Sequence, residues 1–189
     1  AKIEFLDGIL EGENQKHRII YHIDKNKIEI PTISIGLGKE IKYKSNLINF
    51  LSSLKELLEE FDIKCGNVEK VKLSNIRKRD GKVTCLSRFH IYSSALNVIK
   101  FSRIIKYKFN KEKRLALKTA INEAKVKLKR FETQKEKFKE ASKLFNQGMN
   151  YSQIARELNV SHTTIKEWIV KKEHLPRYLN INLLGFINE

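Results

Sequence analysis

Hydrophobic and polar positions change period several times along the chain, and each change marks an element. Residues 4–14, EFLDGILEGEN, read as a helix, with Gly8 and Gly12 four apart and the acids crowded toward its C-terminal end. In residues 17–24, HRIIYHID, apolar positions alternate and β-branched residues are frequent. A turn near Lys25 and Asn26 leads into residues 27–35, KIEIPTISI. The pair predicts a hairpin, with Pro31 marking an edge or a bulge and Gly36 and Gly38 punctuating the exit. Residues 47–61, LINFLSSLKELLEEF, place leucines at helical spacing against a polar face, so an amphipathic helix is expected. The runs VEKVKLSNIRK and KVTCLSRFHIY flank Arg79-Asp80-Gly81-Lys82, and Asp-Gly between strand-like runs predicts a second hairpin. Residues 94–105 close the series as a helix. The predicted fold class is α+β, in the order α-β-β-α-β-β-α: two copies of one α-β-β unit and a closing helix on a single antiparallel sheet.

From residue 110 to residue 147 there is no glycine or proline, and Lys, Ala, Leu and Glu dominate. This stretch predicts two helices, because Thr133-Gln134-Lys135-Glu136 fits a capping box that would start a new helix near Thr133. The expected organisation is therefore a mixed domain over 1–110, a basic helical connector over 111–132, and an all-α domain over 133–189.

Within the last region, residues 151–169 read YSQIARELNVSHTTIKEWI. Ile154, Leu158, Val160, Ile165 and Trp168 have the spacing that packs two short helices across a tight turn, and Ala155 is small enough for close approach. Asn159 falls where the turn needs a left-handed backbone, which asparagine tolerates. Ser161 can cap the second helix. The pattern resembles the helix-turn-helix of resolvases and many regulators, with asparagine where glycine is usual. That resemblance implies a second helix in the major groove, presenting His162, Thr163, Lys166 and Glu167, with Lys171 and Lys172 near phosphates.

Charge sharpens this picture. With 38 Lys and Arg against 22 Asp and Glu, the net charge of +16 favours a polyanionic partner. No apolar run is long enough to span a bilayer and no signal-peptide pattern opens the sequence, so a cytoplasmic, DNA-associated protein without a membrane partner is expected. The two cysteines, Cys65 and Cys85, lack CxxC spacing and read as buried free thiols. The five histidines form no zinc pattern.

The two glycines in the first helix remain to be explained, since each costs about 1 kcal/mol relative to alanine. Carboxylates at a helix C-terminus also oppose the macrodipole. FLDGILEGE together with the element order resembles the LAGLIDADG homing endonuclease family over residues 4 to 115. Leu6, Asp7, Gly8, Ile9, Leu10, Glu11, Gly12 and Glu13 fill the first eight positions of the family motif, and Asn14 stands where its last glycine would be. The resemblance implies that two such helices pack face to face through Leu6, Gly8, Ile9 and Gly12, the glycines letting the backbones nearly touch. It implies that Glu13 is the catalytic metal ligand, holding Mg²⁺ or Mn²⁺ that activates water for phosphodiester hydrolysis. One motif per chain implies a homodimer contributing Glu13 twice; a preceding repeat in a longer chain would instead supply the second motif.

In that family the sheet straddles the major groove of double-stranded DNA. The corresponding candidates are Arg18 and His22 on the first hairpin, and Lys70, Lys72, Ser74, Thr84, Arg88 and His90 on the second, with Arg77, Arg79 and Lys82 near its turn. The function implied is a metal-dependent DNA endonuclease whose recognised site is extended by the helix-turn-helix. A non-cleaving DNA-binding regulator and an intron maturase binding RNA are the other readings of the same resemblance.

Overall fold

The computed structural model describes residues 1–12, 33–69 and 71–188, without the side chains of residues 11–12 and 72–75. The first strand of the expected first hairpin, and Glu13, Arg18, His22 and Lys70, lie outside the described residues. The chain divides into two compact units, Ala1–Ala124 and Lys125–Glu189.

In the first unit α1 (Lys2–Gly12) precedes β1 (Ile33–Glu40), α2 (Lys44–Glu60), β2 (Lys72–Ile76), β3 (Val83–Ile91) and α3 (Ala95–Ile104). The strands form an antiparallel sheet in the order β1-β3-β2. β1 runs on through Gly36 and Gly38, which pair with Arg88 and Leu86, instead of ending at residue 35. The glycines therefore sit inside the ladder, where Gly38 leaves ordinary contact distance, 3.7 Å, between a notional Cβ and the Cys85 carbonyl. The second hairpin closes as expected. Arg77 N–H donates to the Lys82 carbonyl at 2.9 Å, and Gly81 takes φ +67°, which its missing side chain permits.

Period-2 alternation sends Cys85, Ser87, Phe89 and Ile91 of β3 inward and leaves Thr84, Leu86, Arg88 and His90 on the other face. Of the inward set, Cys85, Phe89 and Ile91 pack with Leu47, Leu51, Leu54 and Leu58 of α2 and with Leu6 and Leu10 of α1 in one core. Burying a leucine or phenylalanine of this kind contributes about 1.5–3 kcal/mol. Asn97 in α3 is buried with its amide satisfied: its Nδ2 donates to the carbonyls of Lys64 and Tyr92, and its Oδ1 accepts from Lys64 N–H at 2.7 Å. Both cysteines are free and buried, and burial pushes the Cys65 thiol up to about 12.

α4 (Lys111–Asn146) is one continuous helix and does not restart at Thr133. There the Thr133 hydroxyl donates back to the Lys129 carbonyl at 3.1 Å, as a mid-helix threonine does, so no cap forms. After it come α5 (Tyr151–Glu157), α6 (His162–Lys166), a π-helical turn over Glu167–Lys171, and the short α7 (Leu184–Ile187). The core of the second unit gathers Ala141, Ile154, Ile165 and Trp168, with Phe138, Leu144, Tyr151, Ala155, Leu158 and Val160 packed against it. Among the described residues no helix is long and apolar enough to cross a membrane.

Candidate nucleic-acid interface

The second unit builds its surface from caps and a tight turn. Asn150 starts α5 with a capping box: its Oδ1 accepts from Gln153 N–H at 3.0 Å, and Gln153 Oε1 accepts from Asn150 N–H at 2.9 Å. α5 ends where Asn159 takes φ +47°, the left-handed geometry expected of it, and Val160 N–H closes onto the Ala155 carbonyl. Ser161 then caps α6 by accepting from Thr164 N–H at 3.1 Å. Ile165 and Trp168 turn inward, the Trp168 ring meeting Phe138 edge-on at 5.8 Å and its Nε1 donating to the His174 carbonyl.

That packing leaves His162, Thr163 and Lys166 exposed on the outer side of α6. The His162 ring leans edge-on against Tyr151 at 6.1 Å. Val170, on the π-helical turn, is 52% exposed and was not anticipated; its signal is an apolar residue out of phase with Ile165 and Trp168. Lys171 lies within 3.8 Å of Glu173, and Lys172 ends the turn with φ +54°. Both lysines are exposed.

The open face of the sheet in the first unit carries a different chemistry. Arg88 Nε donates to both carboxylate oxygens of Glu69 at 3.0 Å, and His90 Nε2 lies 2.9 Å from Glu69 Oε1. The Arg88 guanidinium, and after it His90, hold the Glu69 carboxyl below its ordinary value. At the end of the sheet Glu40 accepts from Arg77 at 2.9 Å and Lys82 at 3.0 Å. Lys82 chiefly lowers the Glu40 carboxyl, and Arg77 likewise lowers Asp80. Arg77 and Lys82 are thus already paired within the chain, whereas Arg79 is exposed on the turn. Lys72 faces Leu86 in the register of β2 and β3. The acids Glu40 and Glu69 were not anticipated, because what they touch depends on strand register.

α1 requires one correction. Leu6 is fully buried in the chain's own core beside Leu10, so it is not available to a second copy. Ile9 is half-buried against the same core. Gly8 is exposed, a Cβ placed there would meet nothing within 4 Å, and Phe5 beside it is 55% exposed. Asp7 faces inward: its Oδ1 accepts from the N–H groups of Lys106 and Tyr107 at 2.9 and 3.1 Å. It thereby anchors the chain after α3, where Tyr107 takes φ +49°. The buried Lys113 ammonium donates to the Leu10 carbonyl at 2.6 Å, putting a cation against the negative end of the α1 dipole. Among the described residues no group of three or more His, Cys, Asp or Glu is arranged to hold a metal.

A family model for the helix-turn-helix domain of resolvase matches residues 132–167. No curated protein and no solved structure matches the chain. The matched span takes in the end of α4, α5 and α6, which supply Ala141, Ile154 and Ile165 to the core of the second unit. The chain therefore carries a resolvase-type helix-turn-helix DNA-binding domain, with α6 as its second helix.

Proposed function

We propose that this protein is a sequence-specific DNA endonuclease of the LAGLIDADG type that acts as a homodimer and uses its helix-turn-helix to extend the recognised site. The observation that carries this reading is α1. One side of it is committed to the chain's own core through Leu6, Asp7 and Leu10, while Gly8 and Phe5 leave an exposed, partly apolar strip with a bare backbone. A solvated surface helix gains nothing from a glycine there; a helix that must lie against another backbone does. The antiparallel sheet supports the same reading, with one face in the core and the other bearing Arg88, His90 and Thr84.

The requirement for Mg²⁺ or Mn²⁺ rests on Glu13 in the motif position. In the proposed division of labour α6 reads bases through His162, Thr163 and Lys166, with Lys171 and Lys172 on phosphates. The sheet covers the segment that is cut.

The test is to incubate the full chain with a randomised duplex library, with Mg²⁺ or with EDTA, and to sequence new ends. Recurrent ends that need the metal and disappear in Glu13→Gln, while affinity stays within a few-fold, are expected. Selective binding with no ends under either condition would reduce the function to DNA binding. Cleavage that survives Glu13→Gln would remove Glu13 from the chemistry.

A further inference from the structure

The Arg88–Glu69–His90 cluster has no part in the core and lies on the open face of the sheet. Glu69 is fixed before its side chain does anything: its N–H donates to the Arg88 carbonyl at 2.7 Å, and its carbonyl accepts from Ser87 Oγ at 2.8 Å. Its carboxylate then takes the Arg88 Nε–H on both oxygens and the His90 Nε2 on one. His90 Nδ1 is buried without a partner. The Nε2–H tautomer suits this arrangement, since it leaves an orphaned acceptor in place of an orphaned N–H. His90 thus donates to Glu69 Oε1, the oxygen that Arg88 Nε–H also reaches, and helps hold the carboxylate in place.

The consequence falls on the arginine. A guanidinium tied down through Nε has one orientation, and its terminal nitrogens, Nη1 and Nη2, make no bond to any described residue. The side chain is 45% exposed. Two parallel N–H donors held in a plane match the N7 and O6 acceptors that guanine shows in the major groove, and no other base presents that pair. We propose that Arg88 is a specificity-determining residue that reads one guanine on its Hoogsteen edge, and that Glu69 is a positioning residue that presents it. This rests on the reading that the open face of the sheet meets DNA. It also accounts for an acid on a surface that must approach phosphates, where a carboxylate with no such task would only repel.

The experiment is selection of bound duplexes from a random library by the full chain in EDTA, followed by sequencing. Wild type should select a guanine at a position whose preference does not change in Thr163→Ala or Lys166→Ala. Arg88→Ala should become indifferent at that position alone, losing roughly tenfold to a hundredfold in discrimination, whereas Arg88→Lys, whose ammonium can reach the same two acceptors without the fixed fork, should keep a weaker guanine preference. The lysine variant guards against a folding artefact, since it keeps charge and bulk but not the fork. Replacing that guanine with 7-deazaguanine should weaken wild type and leave Arg88→Ala unmoved. Glu69→Gln should blunt the guanine preference while affinity for unrelated duplex stays level or rises, because a negative charge has gone. A destabilised fold would lower both.

An Arg88→Ala variant that selects the wild-type sequence overturns the proposal. If Arg79→Ala and Lys82→Gln also leave affinity and footprint at wild-type values, the sheet is not on DNA and the underlying reading falls with it. If those two weaken binding while Arg88→Ala keeps the guanine, only the guanine assignment is lost.

Discussion

Replacing Asp7 with alanine tests whether the first helix is held in the fold by its carboxylate. The change removes one acceptor, Oδ1, from two backbone N–H groups 99 and 100 residues further along the chain. The Asp7 side chain and the bond to Tyr107 are buried, and the bond to Lys106 is half-buried. A buried donor left without a partner costs about 1–3 kcal/mol, and bonds to a charged acceptor sit at the upper end of the hydrogen-bond range. One full and one partial loss give about 2–4 kcal/mol. With a urea slope of about 1–3 kcal/mol per molar, the unfolding midpoint of the first unit should fall by roughly 1–4 M. Asp7→Asn keeps a carbonyl oxygen in the Oδ1 position and should cost about 1 kcal/mol.

Urea unfolding of the full chain can be followed by far-UV circular dichroism and by the fluorescence of Trp168, the chain's one tryptophan, which lies in the second unit. The dichroism transition should broaden and begin earlier in Asp7→Ala, while the fluorescence midpoint stays put. Coincidence of Asp7→Ala and wild type in both signals would show that the carboxylate carries none of the anchoring. Equal losses for alanine and asparagine would assign the effect to charge and not to the two bonds.

Gly8→Leu should leave the chain folded, because the added side chain enters open space, yet give monomers by sedimentation under conditions in which the proposed wild-type dimer is expected to form; an intact dimer would assign the glycine another purpose. Lys166→Ala should relax sequence preference in the flanking segment without moving a cut position, and Lys171→Gln should lower the salt slope of binding by about 0.9 per lost phosphate contact. An unchanged slope would take Lys171 off the backbone. Stability of the first unit should fall in acid. The folded values of Glu40, Glu69 and Asp80 are depressed, so their pairing is fully present above the ordinary values of 4.5 for Glu and 3.8 for Asp and is lost as pH drops through the lowered ones. Thermal unfolding of Glu40→Gln should depend less on pH in that range than wild type, and equal dependence would discount the Glu40 cluster.

Much of the architecture is legible in local pattern. The leucines of α2, the alternation of β3 and the Asp-Gly turn are set by neighbours a few residues away, and a 3.6 or 2.0 period needs nothing distant to declare itself. The helix-turn-helix is legible for the same reason: its turn, the left-handed Asn159 and the Ser161 cap are each satisfied by bonds spanning a few residues.

Local chemistry misleads where two local solutions compete. Thr133 to Glu136 has the sequence of a cap, but the run around it is strongly helical, and Lys135 and Ala141 are buried on the inner side of α4. Lys135 bonds to Glu132 and to the Ile181 carbonyl, contacts that favour a helix running straight through. Leu6 and Asp7 fail differently. The spacing of Leu6 and Leu10 marks α1 as a helix, but which side faces the core depends on where α3 ends and on the N–H groups of Lys106 and Tyr107 that Asp7 meets there. The pairing of Arg88 with Glu69, and of Arg77 and Lys82 with Glu40, is likewise absent from any local pattern. Charges 19 to 42 residues apart meet only once the register of β1, β2 and β3 is fixed, and that register is chosen by the apolar face of the sheet. Local pattern was enough to place most helices and strands and to mark a resolvase-type helix-turn-helix DNA-binding domain, though not the bounds of α4 or β1. Tertiary packing decided which of the many basic side chains are already paired within the chain and which still present free donors.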